Sequence, residues 1–145
     1  MAMEKPAELS PLFNNYHFAK YPLVEIPQNF RDERGLISNI ADGHLGDVAV
    51  ITSIADAIRA NHYHEEDWHL SFLLSGKMLY SWKSLDSADH GEIEISAGSL
   101  FYTPKRTIHR MKFLEESTFV AVSKLNRNQE NYEEDTVRVG PDFLG

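Results

Sequence analysis

No stretch of this chain carries a sustained 3.6-residue apolar period. Its middle is instead a series of short apolar or alternating runs broken by Gly, Pro, Asp and Asn. That pattern restricts the fold to an all-β one. It predicts strands over 23–26, 36–40, 46–52, 59–64, 68–75, 77–82, 91–95, 99–103, 109–113 and 118–125, and residues 137–139 offer one further edge strand. Two hairpins are explicit. Ser75-Gly76-Lys77 joins two apolar runs through a glycine that tolerates positive φ, and Asp32-Glu33-Arg34-Gly35 does the same between Phe30 and Leu36. Many short strands at roughly 8- to 12-residue spacing point to a sandwich or closed barrel, best matched by a jelly roll.

The chain has 145 residues, the size of one domain. The barrel is expected over residues 21–126. Residues 1–20, with Pro6, Pro11 and Asn14-Asn15, read as an N-terminal extension. Residues 127–145, rich in Asn, Gln and Glu at their start, read as a peripheral C-terminal tail. The formal net charge of −8 opposes binding to nucleic acid or anionic lipid, which needs clustered Lys and Arg. With no cysteine, disulfides and thiolate metal sites are excluded, so any metal must be held by imidazole or oxygen. No apolar leader or membrane-length apolar run occurs, so the cytoplasm is the expected compartment.

The chemistry is concentrated in Arg59-Ala60-Asn61-His62-Tyr63-His64-Glu65-Glu66-Asp67-Trp68-His69, which holds three of the seven histidines in eight positions. On a strand, His62 and His64 point to one face and Tyr63 to the other. The acidic turn after His64 lets His69, which opens the next strand, fold back onto the pair. His109 follows a polar turn at 104–108 and can supply a fourth imidazole. His62, His64, His69 and His109 are therefore the expected ligands of one divalent transition metal: zinc, iron, nickel, copper or cobalt rather than calcium or magnesium. An HxH pair taken alone also suits a solvated sheet face, and the acidic turn could lend a carboxylate in place of one imidazole.

These residues resemble the cupin superfamily. The first cupin motif, G(x)5HxH(x)3–4E(x)6G, is matched by Asp56 in place of Gly, His62, His64, His69 in place of Glu, and Gly76. The second, G(x)5PxGxxH(x)3N, falls on Gly98, Pro104, Arg106 in place of Gly, His109, and Phe113 in place of Asn. The resemblance spans 56–113 and implies a double-stranded β-helix barrel and a four-histidine metal site. Imidazole at His69 makes that site more neutral than the family's usual one. A narrower likeness links Arg59-Ala60-Asn61-His62-Tyr63-His64 to the RGxHxH stretch of cupins that isomerise or epimerise nucleotide-linked keto sugars. Phe30-Arg31-Asp32-Glu33-Arg34-Gly35 is similar to the FxDxRG segment of the dTDP-4-dehydrorhamnose 3,5-epimerase group.

The implied reaction removes a proton α to a carbonyl, with a metal or hydrogen-bond donors stabilising the enediolate. His62, Tyr102 and Arg59 are the expected catalytic residues, with Tyr63 a weaker proton-relay candidate because it should face away from the histidines. Arg59 is also out of phase with His62 and reaches the site only if a bulge intervenes. Whether Phe101 or Tyr102 faces inward depends on register. Trp68, Trp82 and Phe72 are expected to line the core, and Lys105 and Arg106 to be exposed turn charges. A metal-dependent dioxygenase and a non-catalytic small-molecule-binding cupin are the competing readings. The expected ligand is a small molecule such as a nucleotide sugar. Pairing of exposed barrel edges makes a homodimer the expected assembly, with the N-terminal segment able to join a partner's sheet.

Overall fold

The computed structural model describes residues 21–26, 28–126 and 128–145. Two five-stranded antiparallel sheets face one another. The first runs β1 (Leu23–Val24), β9 (Leu100–Thr103), β6 (His69–Ser75), β11 (Ser117–Ser123), β4 (Asp47–Ser53). The second runs β12 (Thr136–Arg138), β5 (Ile58–His64), β10 (Thr107–Phe113), β7 (Lys77–Ser84), β8 (His90–Ser96). A separate hairpin pairs β2 (Gln28–Asp32) with β3 (Gly35–Asn39), turning at Asp32-Glu33-Arg34-Gly35. The fold is the all-β jelly roll of a cupin barrel. Each strand that the apolar pattern predicts has a counterpart in it, including the edge strand near residue 137.

Alternation along each strand sorts the side chains into layers. Leu73, Met78, Tyr80, Ile95, Phe101, Met111, Phe113 and Phe119 fill the space between the sheets, with the Phe113 and Phe119 rings stacked at 5.9 Å. The opposite faces of β6 and β9 send Leu70, Leu100 and Tyr102 outward into a second cluster with Trp68 and Val122. Ile26, Ile40, Ala41 and Leu45 pack against that cluster. Trp68 and Phe72 therefore stabilise an outer layer, and only Trp82 of the three expected core aromatics packs on the central core.

Backbone conformation explains how the chain departs from cupin glycine positions yet keeps the fold. Asp56, Ala60 and Arg106 stand where the resembling motifs carry glycine, and their φ values are 68°, 74° and 55°. Gly76 and Gly98, which match, have φ of 93° and 89°. The left-handed turns persist with side chains that tolerate them less well. Arg106 offsets that cost with two ion pairs. Its Nε meets Asp86 at 3.1 Å and its Nη1 meets Glu65 Oε2 at 2.8 Å, while its amide donates to the His64 carbonyl.

The chain from Asn128 onward differs most from the tail read in the sequence. Gln129–Asp135 forms a short helix, α1, and β12 then pairs with β5. Seven residues without an apolar period give no helix signal in the sequence.

Equilibrium urea unfolding tests the backbone argument. Ala60→Gly should be neutral or stabilising by up to about 1 kcal/mol, since relief of a left-handed alanine outweighs the loss of one half-buried methyl. Gly76→Ala should cost more than about 2 kcal/mol, because its Cβ would lie 2.0 Å from Ser117 Oγ and 2.6 Å from the Glu116 carbonyl. A strongly destabilised Ala60→Gly would contradict this account.

Candidate functional site

The site is built from the polar end of the space between the sheets. His62 and His64 lie on β5, His109 pairs directly with His62 from β10, and His69 opens β6. All four are buried. Ring centroids of His62 lie 4.7 Å from His64 and 4.8 Å from His109, and His69 is 4.8 Å from His64. His62, His64 and His109 each present a nitrogen within 4.8 Å of the other two, whereas His69 stands outside that trio. Ligands about 2.1 Å from a shared ion lie roughly 3–3.5 Å apart, so small ring rotations would bring the three onto one ion.

Hydrogen bonds decide where the protons sit. His109 Nδ1 is 3.2 Å from the Thr107 carbonyl, which can only accept, so Nδ1 carries the hydrogen and Nε2 the lone pair. Thr136 donates its single hydroxyl hydrogen to the Tyr132 carbonyl at 2.5 Å, so at 3.3 Å from His64 Nδ1 it must accept. His64 is thus also an Nδ1–H tautomer. His69 is oriented the other way: Nε2 donates to Asp67 Oδ2 at 3.0 Å, and Asp67 Oδ1 accepts the amides of Lys124 and Leu125.

Electrostatics follows from this crowding. Burial, then the charges of His109, His64, His69 and Arg138, lowers the His62 pKa to about 2. Burial and His69 lower His109 to about 3, against the opposing pull of its Thr107 hydrogen bond. Burial raises Asp67, but the hydrogen bond and charge of His69 and the Leu125 amide outweigh it and leave the carboxyl below its ordinary range. His62 and His109 are therefore neutral imidazoles, and one anchored carboxylate stands beside the cluster. A second group, His64, Asp67 and Asp135, also comes together. Its carboxylate oxygens are already committed, since Asp135 accepts the amides of Glu66 and Asp67 while Asp67 binds His69, Lys124 and Leu125.

A cavity of about 340 Å³ opens onto the histidines, and its wall includes His62, His69, His109, Arg59, Tyr132 and Arg138. Arg59 reaches it because of a bulge. His109 pairs with His62 and Arg110 with Ala60, so Asn61 is an extra residue, and Ala60 and Asn61 both adopt positive φ. The extra residue shifts the alternation by one and puts Arg59 on the histidine face. Its Nε donates to Ser53 Oγ at 2.8 Å and its Nη2 to the Thr52 carbonyl at 2.9 Å.

Tyr102 requires a correction. Its neighbours Phe101 and Thr103 face between the sheets, so Tyr102 points outward, where it packs near Trp68 and does not line the cavity. Tyr63 pairs with Val137 and likewise turns away. Two aromatics that the sequence reading misses take the inner positions. Tyr132 of α1 lies 5.7 Å from His64 and 6.3 Å from His62. Tyr80 stacks on His109 and bonds Thr103 Oγ1 at 2.9 Å, and burial pushes its hydroxyl up to about 12. Tyr80 sits two residues before Trp82 on an apolar strand, which is a weak signal. Nothing in the sequence marks Tyr132.

The double-stranded β-helix is a cupin-type fold. Solved structures of the same fold include dTDP-4-dehydrorhamnose 3,5-epimerase from Sulfolobus tokodaii, at 13% identity over 90% of this chain and 84% of that one, with a TM-score of 0.68. The same enzyme from Elizabethkingia anophelis NUHP1 is 20% identical over 88% and 81%, with a TM-score of 0.69. The QdtA 3,4-ketoisomerase from Thermoanaerobacterium thermosaccharolyticum, solved in complex with TDP, is 23% identical over 80% and 85%, with a TM-score of 0.61. No protein-family description matches the sequence, and no curated protein does. Among the described residues no helix is long and apolar enough to cross a membrane.

The buried imidazoles set the acid response of metal-free protein. Because the folded pKa values of His62 and His109 lie below the unfolded value, the unfolded chain binds protons that the native state does not. Stability should therefore fall as pH drops from about 6.5 toward 4.5, by about 1.4 kcal/mol per pH unit for each histidine. Urea midpoints measured in EDTA should show this slope, roughly halved in His109→Gln. A flat profile over that window would refute the neutral, buried assignment.

Proposed function

We propose that this protein is a cupin isomerase or epimerase acting on a nucleotide-linked keto sugar. In this reading His62, His64 and His109 hold a divalent transition metal, and His69 transfers the proton. The observation that carries the reading is the division of labour among the imidazoles around one cavity. His64 and His109 are fixed as Nδ1–H tautomers with Nε2 lone pairs, and His62 and His109 resist protonation. Neutral imidazoles with fixed tautomers are what zinc, iron, nickel, copper or cobalt require of nitrogen ligands. When bound, such an ion supplies Lewis-acid polarisation of a carbonyl.

His69 differs in having a carboxylate partner. With Nε2–H directed at Asp67, a proton taken from carbon arrives at Nδ1, and Asp67 stabilises the imidazolium that forms. The acceptor is thus His69 rather than His62, whose burial among like groups makes it a poor base. The cavity volume suits a sugar ring, so the nucleotide would extend past the mouth. Arg59, in the cavity wall, offers a planar guanidinium group for the diphosphate, whereas Arg138 is held there by a bidentate pair with Glu133. The similarity in fold to enzymes named as 3,5-epimerases and a 3,4-ketoisomerase supports this substrate class.

Proton exchange provides the test, with TDP-4-keto-6-deoxyglucose in D₂O followed by NMR. Metal-loaded protein should introduce deuterium at a carbon next to the carbonyl. His69→Asn should slow this by about 10²-fold or more, and Asp67→Asn by about 10-fold or more, without loss of metal. No exchange with the zinc, iron, nickel, copper or cobalt form would contradict the proposal. Oxygen consumption by the iron form would favour a dioxygenase, and tight binding of the nucleotide sugar without any exchange would favour a binding protein.

A further inference from the structure

We infer that residues 129–139 form a latch that assembles the imidazole site, with Thr136 and Asp135 as its positioning residues. The metal arm of the test below rests on the metal reading proposed above; the tautomer arm does not.

The register of β12 on β5 places Thr136 opposite His64 and Arg138 opposite His62, so both face the same side as the histidines, while Val137 faces away beside Tyr63. Three interactions follow. The Thr136 hydroxyl gives its one hydrogen to the Tyr132 carbonyl and receives the Nδ1 hydrogen of His64, which ties the tautomer of His64 to the turn from α1 into β12. The Asp135 carboxylate accepts the amides of Glu66 at 2.9 Å and Asp67 at 3.0 Å, and its carbonyl accepts that of Glu65 at 3.1 Å. This fixes the loop whose Asp67 orients His69. The Tyr132 ring then covers His62 and His64. Two of the four imidazoles thus take their orientation from the C-terminal segment, one directly and one through Asp67.

The segment's own elements are short. Its helix spans seven residues and its strand three. Beyond the ladder, the Val139 amide donates to the Asn61 carbonyl, and Arg110 Nη1 reaches the Pro141 carbonyl at 2.9 Å. Elements this short open at a lower free energy than the central strands. A ligand that needs His64 in place therefore stabilises the docked segment, and docking raises affinity by the same factor.

Cobalt(II) is the probe, its visible spectrum reporting imidazole coordination. Thr136→Val should weaken cobalt binding by about 10- to 100-fold, whereas Thr136→Ser, which keeps the hydroxyl, should stay within about threefold of the unaltered protein. Asp135→Asn, which removes the carboxylate 3.8 Å from Nδ1 of the ligand His64, should also weaken binding. Adding cobalt should slow amide hydrogen exchange across residues 129–139. Unchanged affinity in Thr136→Val and Asp135→Asn, with exchange unaffected by cobalt, would overturn the inference. If the unaltered protein bound no cobalt, the metal reading would fail, and the latch would be decided on ¹⁵N NMR of the histidine rings. A single Nδ1–H form of His64 in the unaltered protein and Thr136→Ser, mixed in Thr136→Val, supports it. The same tautomer population in all three overturns it.

Discussion

Four imidazoles buried between two sheets can coexist only if almost none of them is charged. In that low-dielectric space burial and neighbouring rings oppose a proton on His62 and on His109, and both are held far below the ordinary histidine range. Neutrality alone would leave each ring free to choose between two tautomers. The chain removes that freedom from outside the cluster, through the Thr107 carbonyl behind His109, the Thr136 hydroxyl behind His64 and the Asp67 carboxylate behind His69. The cavity's chemistry is thus set by groups that never enter it.

The barrel separates this polar end from its apolar one by strand alternation. Along β10, Thr107, His109, Met111 and Phe113 all face inward, and the series passes from hydrogen-bonded turn to imidazole to core within one strand. Along β6 the same progression runs through His69, Ser71 and Leu73. The aromatic packing of Phe101, Phe113 and Phe119 supplies a rigid base on which the histidine rungs are stacked. The bulge at Asn61 breaks the alternation along β5, and it brings a cation from the outer face to the cavity wall.

Much of this was legible in the chain. Strands and hairpins followed from apolar runs and turn residues, and the motif spacing pointed to His62, His64, His69 and His109 together, of which His62, His64 and His109 form the closest group and His69 stands outside it. Even the departures from that motif were informative, because Asp56, Ala60 and Arg106 keep positive φ without glycine. What could not be read was register. Period-2 reasoning cannot tell Phe101 from Tyr102 as the inward residue, and it needs the extra residue at Asn61 to place Arg59. Nor does spacing reveal that Asp67, two residues before His69, captures its Nε2. The C-terminal segment was least legible, since its part in the site depends on a pairing with β5 that brings residues about 70 positions apart into contact.

In the proposed reading His62, His64 and His109 form one pre-oriented site for a single divalent transition metal. Elemental analysis by ICP-MS of protein purified without an affinity tag, beside a His62→Ala, His109→Ala double variant, tests it most directly. The account predicts near-stoichiometric zinc, iron, nickel, copper or cobalt in the unaltered protein and its loss in the variant. An unaltered protein free of metal, or a variant that retains it in full, would contradict the account.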